Sequence, residues 1–212
     1  MIIELIKDEL ACIKQEHRNY LGCSSIGSPC ERQIYYEYTG VPRETSSKLA
    51  LTFEIGKSLE SIIMDFIKDA AVVILPSKQN ECVSKVNPKF KGHCDAIACI
   101  DNTFYVIEIK TACNTSYNRL VKLGVKGWNS RYYDQVQCYM GMKEIDKALF
   151  IVVNKDTSEL FEQCVYFDRF HYELLCEKAN RIIACDKPPK GISDNPMFYY
   201  CKMCSFRKIC HG

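Results

Sequence analysis

The run GHCDAIACIDNTFYVIEIK, Gly92 to Lys110, constrains this chain more than any other stretch. It reads as two strands, 93–100 and 104–111, joined by a hairpin-like turn through Asp101, Asn102 and Thr103. Alternation puts Asp95, Ile97 and Cys99 on one face of the first strand, with Cys94, Ala96 and Ala98 on the other. In the second, Phe104, Val106, Glu108 and Lys110 share a face opposite Tyr105, Ile107 and Ile109. The turn then brings Asp95 within reach of Glu108 and Lys110. Two carboxylates so placed can hold one or two magnesium ions, which prefer carboxylate oxygens and retained water. An ammonium beside them can orient or help deprotonate an attacking water, or neutralise charge developing on phosphorus. That is the smallest apparatus for hydrolysing a phosphodiester. The other reading is an exposed strand end bearing a Glu–Lys pair, with Asp95 in a bulge.

The surrounding pattern is a helix, several strands, helices, a strand and a helix, the order of a mixed sheet flanked by helices. Residues 2–20 read as an amphipathic helix carrying Ile2, Ile3, Leu5, Ile6, Leu10 and Ile13 on one side. A short helix over 31–38 ends at Thr39-Gly40. Residues 47–70 form the clearest helix, striped by Ile55, Leu59, Ile62, Ile63, Phe66 and Ile67. Further strands are expected at 71–75, 81–86, 148–154 and 160–166, and further helices at 115–123, 130–142 and 168–185. The tail after Lys187-Pro188-Pro189 is irregular. With 212 residues the chain is long enough for one domain with a sizeable core.

Composition excludes little. A net charge of +2 announces no nucleic-acid binder by itself, so local charge must carry that argument. No apolar run approaches the roughly 18 residues of a membrane span. The acids in MIIELIKDELACIKQEH make the N-terminus unlike a signal peptide, so a reducing cytoplasm is expected. Fourteen cysteines in such a compartment point to metal ligation rather than disulfides.

Two helical pairs extend the hairpin motif. Gly56 and Glu60 lie one turn apart, and a carboxylate at Glu60 can point over the sheet to complete a metal shell, or simply be solvated at the edge of the stripe. Gln135 and Tyr139 also share a helix face, where they can touch a phosphate or position water, or pack as ordinary helix-edge residues. Taken in order, Gly56-x3-Glu60, Gly92-x2-Asp95, Glu108-x-Lys110 and Gln135-x3-Tyr139 resemble the RecB-like branch of the PD-(D/E)XK nucleases over residues 53–140. That resemblance implies an α/β restriction-endonuclease-like core. It also implies magnesium or manganese held by Glu60, Asp95, Glu108 and the Ile109 carbonyl. Lys110 would assist the nucleophilic water, and Gln135 and Tyr139 would hold the substrate strand or water. The branch commonly has histidine where this chain has Glu60, which bears on the ligand set and metal preference.

The chain closes on Cys201, Cys204 and Cys210 in a C-x2-C-x5-C arrangement, and three thiolates so spaced need a fourth ligand. Cys30 is the first candidate, ahead of Cys23 and then His211. One upstream cysteine and three C-terminal ones resemble the iron–sulfur subgroup of the same nucleases, which includes CRISPR-associated adaptation nucleases and AddB-type helicase–nucleases. Cys30 followed by Arg32 and Tyr36 is similar to its upstream element. The resemblance implies a structural 4Fe–4S cluster; zinc suits four thiolates as well. The remaining cysteines, such as Cys94, Cys99 and Cys138, read as small buried hydrophobes.

Residues 114–133 contain Arg119, Lys122, Lys126 and Arg131, interleaved with Tyr117, Trp128, Tyr132 and Tyr133 and free of acids. Cations for phosphates and rings for bases suit a single strand. A solvated basic helix with core-facing tyrosines explains the pattern equally well. Lys202, Arg207 and Lys208 extend the basic surface in the tail. The expectation is one nuclease domain over 1–212, with its core at about 47–166 and segments 1–45 and 186–212 forming the cluster subregion. Its partner is DNA as single strands or ends, and the resemblance adds recombination or CRISPR adaptation proteins. A phage-type recombination exonuclease with zinc or no cluster, and a non-catalytic DNA-binding adaptor, are the alternatives.

Overall fold

Of the 212 residues, the computed structural model describes 2–13, 18–43, 46–70 and 73–212. Part of the first predicted helix (14–17) and the start of the first predicted strand (71–72) lie outside them. In chain order the elements begin with α1 (Ile2–Cys12), β1 (Leu21–Gly22), α2 (Cys23–Ile26), α3 (Glu31–Tyr38), α4 (Ser47–Asp69) and β2 (Val73–Ile74). A 3₁₀ turn at Ser77–Gln79 leads to β3 (Glu81–Val83), β4 (Phe90–His93), β5 (Ala96–Ile100) and β6 (Thr103–Ala112). Then follow α5 (Asn114–Trp128), α6 (Ser130–Lys143), β7 (Lys147–Asn154), β8 (Leu160–Tyr166) and α7 (Arg169–Ile183). Two short helical turns, α8 (Tyr199–Lys202) and α9 (Arg207–His211), order the tail that was expected to be irregular.

Local chemistry accounts for several of these boundaries. Ser46 caps α4 by accepting from the Leu49 N–H at 3.2 Å, Asn129 caps α6 through Arg131 N–H, and Asp168 caps α7 through His171 N–H. Asp101 and Asn102 both have positive φ, 47° and 60°, which is the backbone of a tight hairpin turn matched to strand twist. Gly124, at φ 65° and ψ 175°, kinks α5 where the predicted helix stops at 123. A further turn continues to Trp128.

The main sheet has the order β2-β5-β6-β7-β8, antiparallel except for the parallel β6–β7 pair, whose crossover is α5 and α6. A second small sheet, β1-β4-β3, was not foreseen, because β1 is two residues in a small-residue loop. One face of the main sheet packs Ala96, Ala98, Ile107 and Ile109 against Ile63, Met64 and Ile67 of α4. The other packs Ile97, Val106, Phe150 and Val152 against Leu120, Val136, Met140, Leu175 and Ile182 of α5, α6 and α7.

Four expectations need correcting. The inner stripe of α4 is narrower than read from sequence: Ile55, Ile62 and Phe66 are exposed, and Met64 takes their place. Cys94 packs with Ile97 rather than with Ala96, because the extended run breaks at Cys94–Asp95 between β4 and β5. The N-terminal segment is more than a cluster subregion, since Leu21, Cys23, Ile26 and Ile34 are buried in the larger core. Among the cysteines read as buried, Cys12 and Cys113 are exposed.

Candidate active site

The β5–β6 register pairs Ala96 with Ile107, so Asp95, one step beyond the last pair, faces Glu108. Its carboxylate accepts from the Ile109 N–H at 2.7 Å, continuing the ladder with a side chain where the strand has broken. The Asn80 side-chain amide, contributed by the loop before β3, donates to the Asp95 carbonyl at 2.9 Å. Asp95 is thereby fixed from both sides.

Glu108 is 1% exposed. Its Oε1 accepts from Lys110 Nζ at 2.6 Å and from Gln135 Nε2 at 2.8 Å, while Oε2 is buried with no hydrogen-bond partner. Burial first, then the nearby Asp95 and Glu60 carboxylates, pushes its acid up to about 8 against the opposing pull of Lys110. Lys110 also donates to the Ile109 carbonyl at 2.9 Å and lies 3.9 Å from Glu60 Oε1. Burial disfavours that ammonium, but Glu108, Asp95 and Glu60 together hold its pKa above the ordinary lysine range. Burial also raises the Glu60 acid, more than Lys110 lowers it.

The sequence-predicted residues therefore come together. Gln135 and Tyr139 do not front the solvent where a strand could lie. They are 7% and 3% exposed, and Gln135 Nε2 bridges Tyr139 Oη, at 2.9 Å, to Glu108. Their visible work is to aim the carboxylate. The motif glycine explains the approach: a Cβ on Gly92 would stand 2.9 Å from Tyr139 Cε1. On α4, Glu60 lies beside Lys110, while a Cβ on Gly56 would meet only Thr111 Oγ1 at 3.7 Å, an ordinary contact, so this approach does not require the motif's other glycine. Asn80 escaped sequence reading because it sits outside any spaced motif, while Tyr132, read there only as one of the aromatics of the basic segment, has its ring 5.8 Å from Lys110 Nζ.

Among the described residues, no group of three or more His, Cys, Asp or Glu side chains is gathered as a ready metal nest. Magnesium asks for less, one or two carboxylates with water completing the shell. The unpartnered Glu108 Oε2 fits that requirement, because a buried carboxylate oxygen without a donor is costly unless a cation arrives.

At the chain ends, Cys30, Cys201, Cys204 and Cys210 line one pocket, together with His211. Cys23 is instead buried in the core, its thiol 3.8 Å from Met142 Sδ. Arg32 donates to the Pro189 carbonyl at 2.7 Å, and Tyr36 packs on Phe206 with centroids 5.4 Å apart. The residues of the upstream element thus dock the tail directly. In the basic segment, Tyr117 and Tyr133 are buried, and the Trp128 ring packs on Phe150 with its indole N–H bonded to Ser116. The aromatics of that segment belong to the core, while Arg119, Lys122 and Lys126 remain exposed.

No family model and no curated protein sequence matches the chain. Solved structures do match its fold. SSO0001 is 20% identical with a TM-score of 0.59, covering 99% of this chain and 96% of that one. The alkaline exonuclease LHK-Exo from Laribacter hongkongensis is 13% identical with a TM-score of 0.61, covering 84% and 91%. LHK-Exo in complex with dAMP is 14% identical with a TM-score of 0.59, covering 85% and 91%. The chain shares the fold of an alkaline exonuclease.

Proposed function

We propose that this chain is a divalent-metal-dependent nuclease that hydrolyses phosphodiester bonds in DNA, processing ends or single strands. The observation that carries the reading is the buried Glu108 carboxylate, on the residue across the strand register from Asp95, with one oxygen clamped by Lys110 and Gln135 and the other unpartnered. The shared fold with an alkaline exonuclease and the four motifs of the PD-(D/E)XK pattern support it.

Glu60, Asp95, Glu108 and the Ile109 carbonyl would hold magnesium or manganese, which supplies a polarised phosphoryl oxygen and a water of lowered pKa. The rest is the protein's own work. Tyr139 orients Gln135, and Gln135 fixes the rotamer of Glu108. Lys110, held charged by three carboxylates, acts as an electrostatic group and water-orienting donor rather than as a base. Its ammonium lies among oxygens that would otherwise repel one another, so it preorganises them before substrate arrives.

The four thiols in one pocket have the donor chemistry of an iron–sulfur site, and we include a structural 4Fe–4S cluster in the reading, with zinc as the competing occupant. A group bound there would join α3 to the tail and stabilise the fold without redox chemistry.

The decisive experiment measures cleavage of end-labelled and circular DNA, single- and double-stranded, with magnesium, with manganese and with chelator. Cleavage that needs divalent metal and falls at least about 100-fold in Lys110→Ala is the expected result. Wild-type binding to DNA with no cleavage under any condition would instead identify a non-catalytic adaptor.

A further inference from the structure

A second cleft, of about 370 Å³, opens between the N-terminal half of α4, the tail and the start of α6. That volume lies within the range of ligand-binding clefts. Its walls carry Phe53, Tyr199, Tyr200 and Met203, and Arg43 and Arg131 supply the charge. These apolar side chains face water: Phe53 is 44% exposed, Tyr199 72% and Tyr200 50%. That is the reverse of the core-facing rings in residues 114–133. Tyr199 and Tyr200 stand edge to face, with centroids 5.4 Å apart. Among the described residues neither arginine forms an ion pair with a carboxylate. The acid in the lining, Glu37, is already engaged by the Ser25 hydroxyl and the Gln33 amide.

Both helices that frame the cleft lead to the carboxylates. Phe53 precedes Glu60 by two turns of α4, roughly 10 Å at 1.5 Å per residue. Arg131 precedes Gln135 by one turn of α6, roughly 6 Å. A single strand running along them would cover that distance in a few nucleotides.

We propose that this cleft is a second nucleic-acid subsite that takes a single-stranded segment, bases stacked on Phe53, Tyr199 and Tyr200 and phosphates held by Arg43 and Arg131. The inference rests on the nuclease reading for its direction toward Glu60, though not for its ability to bind. Exposed rings beside guanidiniums that have no carboxylate partner among the described residues suit unstacked bases, whereas a duplex keeps its base faces covered. The subsite therefore favours frayed or single-stranded ends and sets the length of strand that must lie beyond the cleaved bond.

The test is fluorescence anisotropy of a labelled oligothymidylate on the full chain, with chelator present so that binding is read without cleavage. Phe53→Ala and Tyr200→Ala are each expected to weaken binding about 5- to 100-fold. Tyr200→Phe, which keeps the ring, should bind as wild type does. Arg131→Gln should reduce the salt dependence by about 0.7 of a log unit per log unit of salt. A 2-aminopurine in the bound segment should be quenched by wild type and not by the alanine variants. Unchanged affinity in the folded Phe53→Ala, Tyr200→Ala double variant overturns the subsite, as does selective binding of an acidic peptide over the oligonucleotide. If wild type binds through these residues but never cleaves, the nuclease reading fails and the subsite stands. If wild type cleaves and the alanine variants bind and cleave like it, the subsite alone fails.

Discussion

Glu108 and Lys110 sit two residues apart on one strand, and burial acts on them in the same sense by disfavouring charge. Their mutual contact at 2.6 Å then decides the outcome differently for each. The lysine keeps its proton, while the acid rises to about 8, because burial, with repulsion from Asp95 and Glu60 added to it, outweighs the pull of one ammonium. This has a consequence for the metal-free protein. In the unfolded chain Glu108 titrates near 4.5, and in the folded state near 8, so the folded state binds more protons between those values. Stability must fall as pH rises through that window, by an amount on the order of a few kcal/mol, and the raised acid of Glu60 acts in the same direction. Lys110 is protonated in both states there and adds no slope. Urea unfolding of metal-free protein at pH 5 and pH 8 checks this, with the higher stability expected at pH 5.

At the level of elements, the hairpin β5–β6 and the helix α6 are joined through one glycine. Gly92 ends no helix and makes no unusual turn; its use is the space that a Cβ would take from Tyr139 at 2.9 Å and from Cys23 at 3.1 Å. Tyr139 is buried and bonded, so it cannot simply swing aside. Gly92→Ala is expected to cost about 1–3 kcal/mol in thermal or urea unfolding. It should also lower activity beyond any loss explained by unfolding, because the displaced ring carries Gln135 away from Glu108. An unchanged melting temperature together with unchanged activity would separate β4 from the site. The small β1-β4-β3 sheet has a similar positioning role, since it holds Gly92 and leads directly into Asp95.

Across the whole molecule, the tail serves two neighbouring structures. Cys204 lines both the thiol pocket and the aromatic cleft, and Tyr199 to Met203 lie between Cys201, Cys204 and the cleft wall. A group held by the four thiols would therefore fix the rings as well as join the chain ends. Cys30→Ser, purified anaerobically, should lose bound iron and visible absorption, melt at a lower temperature, and bind single strands more weakly, although Cys30 itself does not line the cleft. Metal analysis, absorption spectra and the anisotropy assay read these outcomes separately. A colourless wild type with stoichiometric zinc would replace the cluster assignment and leave the coupling to the cleft intact.

The spacing of residues determined the hairpin, the helices that follow it and the convergence of Asp95, Glu108 and Lys110, because strand alternation and helical turns are local rules that place neighbours on one face. The resemblance of Cys30, Arg32 and Tyr36 to an upstream cysteine element, rather than spacing alone, put Cys30 ahead of Cys23, and Cys30 is the one that lines the pocket of the tail cysteines. Tertiary packing decided what those rules do not reach. It drew the depth of Gln135 and Tyr139 behind Glu108, the inner stripe of α4 and the burial of Tyr117 and Tyr133. It also brought Phe53, Arg131 and Tyr200 from three distant segments to one cleft. Burial depends on what the rest of the chain lays over a residue, and no window of sequence contains that information.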